Sequence, residues 1–384
     1  MICLKLLVEK SRFLKSWQLA ERSVGQKSTI SVLSGVKCIA AEDRTTFMAT
    51  DLKTSVSCNA EGVKVLEPGE AVFPVKVVGE LFKKAPSKSF EISVEQGKAR
   101  IEAGKSLYSF TTYPVSEFPS LPVARDASPF FTAENAELMR ILEEGTFAGS
   151  PGEEFPQYLS AGLLQKEESY MRMVATDGRR LSLSRGVIEA DGEDEQVLLP
   201  LGGLRELHRA LTSMEPNDEV KVYRDESQAY FRIQEMEFSV RRVESRFPSY
   251  EKILNSDHTT WMTVDRESFM EALDRADVVV RDFSRMVVFT LSPGGNCILN
   301  ARAPEIGESS EEMEATIDGE PLKIAFNVRY LLEGLKALHG KNAHLSFNGP
   351  NGQMTLSRPG EESFMYVLMP ITLPEEEPAA EETE

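Results

Sequence analysis

Two hydrophobic periods alternate along the chain. Apolar residues recur at helical spacing in 8–17 (Phe13, Leu14, Trp17), 133–142 (Leu138, Met139, Leu142) and 264–273 (Phe269, Met270, Leu273), which predicts three amphipathic helices. A second set of segments, 72–84, 198–210 and 325–337, reads each time as strand end, turn, then helix, with the helices at 74–85, 200–211 and 327–338. Between the helices lie short runs of alternating apolar and polar residues at 46–50, 99–103, 170–174, 219–223, 229–233 and 353–357, bounded by Gly, Asn or Asp. Period two between turn residues predicts antiparallel strands joined by hairpins.

The helices come at a fixed interval. Aligning Pro74, Pro200 and Asn327 gives steps of 126 and 127 residues. Ala-Thr-Asp at 49–51 returns at 175–177, again 126 on, and one more step lands on Ala303 within Asn300-Ala-Arg-Ala-Pro304. Glu117-Phe-Pro-Ser-Leu121 reappears as Arg246-Phe-Pro-Ser-Tyr250 with an offset of 129. The repeat is therefore about 126 residues long, the size of a domain rather than of a solenoid unit. It predicts domains at 1–124, 125–255 and 256–373, divided by the Pro-rich stretch after Phe118 (Pro119, Pro122, Pro129) and by Asn255-Ser-Asp-His258. Each is expected to be α+β, two helices packed on antiparallel sheet. Residues 374–384 combine Pro with six Glu and read as a disordered acidic tail.

Charge first narrows the function and then complicates it. The 384 residues carry 43 Lys plus Arg against 61 Asp plus Glu, a formal charge of −18, which excludes gripping nucleic acid by bulk attraction. Yet the second-set helices carry +2, +1 and +1, and the first-set windows 8–22, 133–144 and 264–276 carry +2, −3 and −2, so the six together come to +1. Acid is concentrated off the helices. No apolar run approaches the ~18 residues of a membrane span, and the start has no cleavable signal pattern, so a cytoplasmic protein with no membrane partner is expected. Cys3, Cys38, Cys58 and Cys297 are far apart and read as buried small hydrophobes in a reducing compartment rather than as disulfides or a zinc site. His339 and His344 lie five apart across Gly340, which is not the i, i+4 spacing of a helical metal pair.

Enzyme chemistry finds little material. Gly104-Lys105-Ser106, with Ala99 five residues before the glycine, fits a relaxed phosphate-loop pattern, but the following Leu107-Tyr-Ser-Phe-Thr-Thr-Tyr113 reads as a strand where a phosphate loop must open a helix. Asp51 and Asp177 occupy the same place in two repeats, which favours a hairpin-turn role through tolerance of positive φ over a paired carboxylate site. No Ser-His-Asp or Cys-His pairing stands out, so no catalytic residue, metal ligand or cofactor is assigned.

Phe-Pro-Val-Lys at 73–76, Ala-Thr-Asp-Gly-Arg-Arg-Leu at 175–181, Glu244-Ser-Arg-Phe-Pro-Ser-Tyr250 and Tyr366-Val-Leu-Met-Pro370, set in three repeats, resemble the bacterial β sliding clamp family, the beta subunit of DNA polymerase III, over residues 1–373. The resemblance implies three domains of the DNA-clamp fold and a head-to-tail homodimer closed as a six-domain ring around duplex DNA. Its function would be non-enzymatic: a ring holds DNA by enclosure, and weak, sequence-independent phosphate contacts suit sliding. Implied partners are the DNA polymerase III alpha subunit, the clamp loader delta subunit, other polymerases and repair proteins.

By the same resemblance Lys27 and Lys76 stand at basic DNA-contact positions, and Arg205, Arg209, Arg329 and Lys336 join them from helix position alone. Pro200-Leu-Gly-Gly203 is uncharged where relatives often carry basic residues. A hydrophobic cleft for peptides of the Gln-Leu-x-Leu-Phe type maps onto Leu159, Thr176, Gly178, Arg179, Arg180, Leu181, Pro248, Lys252, Ile253, Val367, Met369, Pro370, Ile371 and Leu373, with Thr372 standing where Arg is usual. A head-to-tail ring needs two different ends. Lys98, Arg100 and Lys105 with Tyr108 and Phe110 suit one, and Glu305, Glu308, Glu311, Glu312 and Glu314 with Val278 and Val279 suit the other, opposite charges setting register. On the residues alone two other readings stay open: a three-domain interaction scaffold that never encircles DNA, and a carboxylate-dependent hydrolase.

Overall fold

A computed structural model of the chain describes residues 2–25, 28–124, 129–190, 192–254 and 257–373, the side chains of 2 and 3 excepted. Lys27 and the acidic segment 374–384 lie outside the described residues. Seven α-helices occur among those described: α1 (Lys10–Glu21), α2 (Val75–Lys84), α3 (Asn135–Thr146), α4 (Leu201–Leu211), α5 (Glu251–Leu254), α6 (Arg266–Val280) and α7 (Val328–Ala337). The repeat is plain in them. Helices α2, α4 and α7 each begin directly after Pro74, Pro200 or Asn327, all extended with φ between −64° and −73°. Proline fixes that φ by its ring, whereas Asn327 caps chemically, its side chain accepting from Arg329 N (3.0 Å) and Tyr330 N (3.4 Å).

Helices α1, α3 and α6 start two residues later than the apolar period suggests. Val8, Ala133 and Val264 instead end strands Ile2–Glu9, Phe131–Glu134 and Thr260–Asp265 that run straight into the helices. Their buried side chains belong to the sheet; a buried apolar residue at a strand end satisfies either period, which is why periodicity misplaces the boundary.

The hairpin turns correct one expectation in detail. Asp51 accepts from Lys53 N (2.9 Å) and Thr54 N (2.6 Å), and Asp177 from Arg179 N (2.9 Å) and Arg180 N (3.1 Å), so both are turn formers. Positive φ falls not on the aspartates but on the next residue, Leu52 (71°) and Gly178 (85°). Gly104 likewise sits at φ 65° in the hairpin between strands Lys98–Ala103 and Ser106–Thr111, which removes the phosphate-loop reading.

The chain divides into two compact units, Met1–Arg140 with Gln165–Met171 and Val187–Glu244, and Ile141–Leu164 with Arg172–Gly186 and Ser245–Glu384. The first unit contains a five-stranded sheet ordered Val63–Glu67, Ile2–Glu9, Ser89–Glu95, Lys98–Ala103, Ser106–Thr111. It also contains an eight-stranded sheet in which Thr54–Asn59 of the first repeat pairs with Met236–Arg241 of the second. Its core is aromatic: Phe13 stacks on Trp17 (5.7 Å) and Phe82 (4.5 Å) and meets Phe47 edge-on (5.2 Å), holding α1 and α2 to the sheet. Cys38, Cys58 and Cys297 are buried free thiols, and burial pushes each up to about 12, so they serve as small core residues.

The second unit joins the second repeat to the third in the same manner. Arg180–Val187 pairs antiparallel with Glu361–Leu368, matching Arg180 to Leu368, Leu181 to Val367, Ser182 to Tyr366, Leu183 to Met365 and Ser184 to Phe364. The sheet continues through Met354–Arg358, Asn342–Phe347, Thr260–Asp265 and Thr316–Gly319. A separate four-stranded sheet runs Gly307–Met313, Cys297–Ala303, Met286–Leu291, Leu322–Asn327. Above the junction, Glu144 at the end of α3 is fully buried, accepts from Ser184 Oγ (2.7 Å) and pairs with Arg358, whose side chain is 11% exposed. Arg358 also donates to Ser363 Oγ (2.8 Å) and His339 O (2.9 Å), so the buried charge is satisfied on several sides.

Glu144→Ala removes the fully buried carboxylate that pairs with that guanidinium. A loss of about 3–5 kcal/mol is expected, read as a lowered urea midpoint with the slope unchanged; a shift under 1 kcal/mol would mean that solvent reaches Arg358 (~1 kcal/mol being the worth of an exposed pair).

Candidate functional site

The second unit gathers the expected cleft residues along the outer end of the Arg180–Val187 and Glu361–Leu368 pair. Period two puts Leu181 and Val367, opposite one another in register, beneath the surface, both buried. Past Leu368 the chain leaves the sheet but stays pinned at alternate residues: Met369 N donates to Arg179 O (2.9 Å) and Ile371 N to Ala325 O (2.7 Å). This leaves Met369 48% exposed and Pro370, Ile371 and Leu373 half-exposed. The segment 367–373 is thus core at Val367 and Leu368 and surface from Met369 onward.

The opposite side comes from the linker after the second repeat. Tyr158 meets Phe247 edge-on (5.9 Å), and Phe247 meets Tyr250 (6.2 Å), which ties the turn bearing Leu159 to the segment bearing Pro248. Ser150 N donates to Leu159 O (2.7 Å). Helix α5 then presents Lys252 and Ile253, the latter 39% exposed, and Gln353 Nε2 donates to Ile253 O. Thr176 is buried, its Oγ1 donating to Arg180 O (2.6 Å) and accepting from Gly178 N (3.0 Å); it shapes the turn that carries exposed Gly178 and Arg179.

Arg180 is the electrostatic centre of this region, and it is not a free surface cation. Its side chain is 7% exposed, Nε donates to Asp177 (2.9 Å), Nη1 pairs with Glu333 of α7, and the guanidinium lies 4.1 Å from the centroid of the Tyr330 ring. Burial works against the charge, but Tyr366, Glu333 and Asp177 outweigh it and hold Arg180 above its usual pKa. Burial pushes the Tyr366 phenol well up, and its hydroxyl donates to Tyr330 O (3.0 Å). Burial would raise Glu333 too, yet hydrogen bonds from Arg180 and from Arg329 (2.8 Å) hold it below the usual carboxylate range.

Tyr330 and Glu333 escaped the sequence reading. A signal existed for Glu333: Glu80 and Glu206 stand at the equivalent place in α2 and α4. No local pattern marks Tyr330, which matters only because a distant arginine lies against it.

The proposed DNA contacts fall on exposed helix faces: Lys76 on α2, Arg205 and Arg209 on α4, Arg329 and Lys336 on α7. Arg209 pairs with Glu206 (2.6 Å) and Arg329 with Glu333 (2.8 Å). In the first unit, α1 and α4 share a polar depression of about 480 Å³ lined by Gln18, Glu21, Arg22, Glu206 and Arg209.

The residues assigned to subunit contact lie at two sheet edges. Ser106–Thr111, bearing Tyr108 and Phe110, is the outermost strand of the five-stranded sheet, with Lys98, Arg100 and Lys105 beside it. Gly307–Met313, bearing Glu308, Glu311 and Glu312, is the outermost strand of the four-stranded sheet, flanked by Glu305 and Glu314; Val278 is 61% exposed and Val279 half-buried on α6. The acid run is less free than its composition suggests. Arg275 clasps Glu311 through two bonds (2.8 and 3.1 Å), holding its carboxyl below the usual range, and Asn296 donates to Glu312 (2.6 Å). Arg100 in turn pairs with Glu102 (3.1 Å).

Models of the DNA polymerase III beta subunit match three successive stretches: its N-terminal domain at 4–122, central domain at 133–249 and C-terminal domain at 251–372. The chain belongs to the DNA polymerase III beta subunit family. Beta sliding clamps of Pseudomonas putida and Bacillus subtilis are 28% and 27% identical to it, over 95% and 96% of this chain and 99% of each relative. Among solved structures, the Bacillus subtilis sliding clamp superposes with a TM-score of 0.91 at 25% identity, covering 97% of this chain and all of that one. A Pseudomonas aeruginosa sliding clamp bound to griselimycin does so with a TM-score of 0.89 at 27% identity, covering 97% and 100%. As a beta subunit the chain is a non-catalytic processivity factor, built from three clamp domains of mixed helix and antiparallel sheet. No described helix is long and apolar enough to cross a membrane, and no cluster of metal-binding side chains occurs among the described residues.

The Glu333 bridge gives a pH signature. A carboxyl held below its unfolded pKa of about 4.3 contributes stability that is complete above that value and lost as pH falls through the folded pKa. Glu333→Gln is expected to flatten the fall in stability below about pH 5, followed by urea denaturation at several pH values. An unchanged acid limb would show that the bridge carries no linkage.

Proposed function

We propose that two copies of the chain pair head to tail, the Ser106–Thr111 edge of one against the Gly307–Met313 edge of the other, and close as a six-domain ring around duplex DNA. The observation that carries this reading is the pair of outermost strands, basic beside one and acidic along the other, in a chain of three clamp domains. Outermost strands offer backbone groups for pairing, and a head-to-tail contact closes into a dimer when each copy turns by half a circle. Inside the ring, Lys76, Arg205, Arg209, Arg329, Lys336 and Lys27 would meet phosphates weakly. Pairing of Arg209 and Arg329 with glutamates suits that role, because a cation shared with a carboxylate gives the DNA no stopping point.

The cleft around Met369 then receives short apolar peptides of cytoplasmic partners: the alpha subunit of DNA polymerase III, the delta subunit of the clamp loader, other polymerases and repair proteins. Half-exposed Pro370, Ile371 and Leu373 with Met369 and Ile253 supply an adaptable apolar wall for several clients. Buried Thr176, Arg180, Leu181 and Val367 act beneath it as the floor that fixes those residues.

Loaded clamp should slide off linear DNA and remain on circular DNA; equal retention on both would overturn enclosure. Reversing Glu305, Glu308 and Glu314 to Lys should weaken the dimer in sedimentation, and adding Lys98→Glu with Lys105→Glu should restore it. Met369→Ala with Pro370→Ala should abolish binding of a Gln-Leu-Asp-Leu-Phe peptide while the dimer persists, whereas loss of the dimer would make the segment core. Deleting 374–384 removes six negative charges that follow Leu373 directly and should tighten that peptide at low salt; affinity independent of the deletion would dismiss a tail effect.

A further inference from the structure

The junction between the first and second repeats is built on the same hydrogen bonds as the cleft, with different side chains. Met369 N to Arg179 O (2.9 Å) is reproduced by Arg241 N to Lys53 O (2.8 Å), and Ile371 N to Ala325 O (2.7 Å) by Val243 N to Leu198 O (2.8 Å). The Phe-Pro-Ser linker recurs, and its far end is tied at both junctions through different partners, Ala124 N donating to Glu237 within strand Met236–Arg241 (3.2 Å) and Ile253 O accepting from Gln353, just before strand Met354–Arg358. Two floor positions of the cleft, Leu181 and Val367, and one at its side, Lys252, correspond to Ser55, Ser239 and Val123.

The replacements open a space. Ser55, Val123 and Ser239 line a depression of about 420 Å³ whose apolar wall is Met48, Leu121 and Met236, with Val123 63% exposed. Its rim carries the ion pairs Arg44–Glu235 (2.8 Å) and Arg232–Glu237 (2.7 Å). Where Met369 and Pro370 stand at the second junction, this one has Arg241 and Arg242; Arg242 is held by the carbonyls of Asp225 (2.8 Å) and Glu226 (3.4 Å), while Arg241 is exposed on the face shared with Ser239. At the helix, Gly203 occupies the place of Tyr330 and Thr54 that of Arg180: a Cβ on Gly203 would lie 2.7 Å from Val240 Cγ1 and 3.3 Å from Thr54 Cγ2.

We propose that this depression is a second peptide-binding site, taking a short extended peptide whose apolar side chains enter between Met48, Leu121 and Met236 and whose adjacent carboxylate meets Arg241. The Met369-to-Arg241 exchange sets its preference: here a carboxylate on the peptide carries affinity that the apolar Met369 cannot supply at the cleft. The inference rests on the cleft reading only for the class of ligand; the cavity and its charges are its own.

Methionine methyl NMR reads both sites in one sample, with Met48 and Met236 reporting on the depression and Met369 on the cleft. Acetyl-Asp-Leu-Phe-amide should shift Met48 and Met236 saturably, equally in the Met369→Ala variant, and at least tenfold more weakly in Arg241→Glu and Val123→Asp. Shifts confined to Met369, or none at millimolar peptide, overturn the proposal. So would Met48 and Met236 signals that move on deletion of 374–384 without added peptide, because the occupant would then be the chain's own acidic end. A Gln-Leu-Asp-Leu-Phe peptide that leaves Met369 unmoved counts against the cleft alone.

Discussion

The antiparallel pairing of Arg180–Ser184 with Phe364–Leu368 is the contact on which the second unit depends. It is a short ladder between residues almost two hundred apart in sequence, and loop closure makes such a contact costly to form. Two buried ion pairs bracket it, Glu144 with Arg358 on one side and Arg180 with Glu333 on the other. Neither pair is an economical source of stability, since desolvation offsets most of the attraction. Their contribution is geometric: a slip by one residue would part Arg180 from Glu333 and Arg358 from Glu144 and turn every side chain to the opposite face.

That register sets the cleft. Because Leu181 faces Val367, the next same-face residue is Met369, and the chain must leave the sheet there with its apolar side chain outward. Gly334 belongs to the same arrangement, for a Cβ on it would come within 2.5 Å of the Tyr366 ring, so α7 sits close enough for Glu333 to reach Arg180 only with glycine at that place. Glu333 also takes Arg329 on its other oxygen, so the helix face assigned to DNA and the floor of the peptide cleft share a single carboxylate.

Much of this was legible in the sequence, and the rest was hidden for identifiable reasons. Steps of 126 and 127 between Pro74, Pro200 and Asn327 marked three helix starts to within a residue, because proline and asparagine act locally at those positions, although strand passes into helix there without the expected turn. Asp51 and Asp177 were readable as turn formers for the same reason. Val8, Ala133 and Val264 were misplaced into helices because burial is common to both periods. The partners of Arg275, Arg358 and Arg180 could not be read at all: an ion pair across 36, 214 or 153 residues leaves no trace in local spacing, and the acid run at the Gly307–Met313 edge therefore seemed freer than it is. The residues proposed for the cleft rest on family resemblance alone, since an apolar run such as 367–371 looks the same in sequence whether it is core or surface.

The exchange of Gly203 and Thr54 for Tyr330 and Arg180 constrains how the two junctions can change. A tyrosine at 203 has no room beside Val240, and an arginine at 54 would be buried without the aromatic face that accepts it. Each step toward the other junction's pair is harmful while the partner is unchanged, so the route between them passes through a valley of unstable intermediates. No single substitution turns one junction into the other, so their surfaces differ over the same backbone hydrogen bonds.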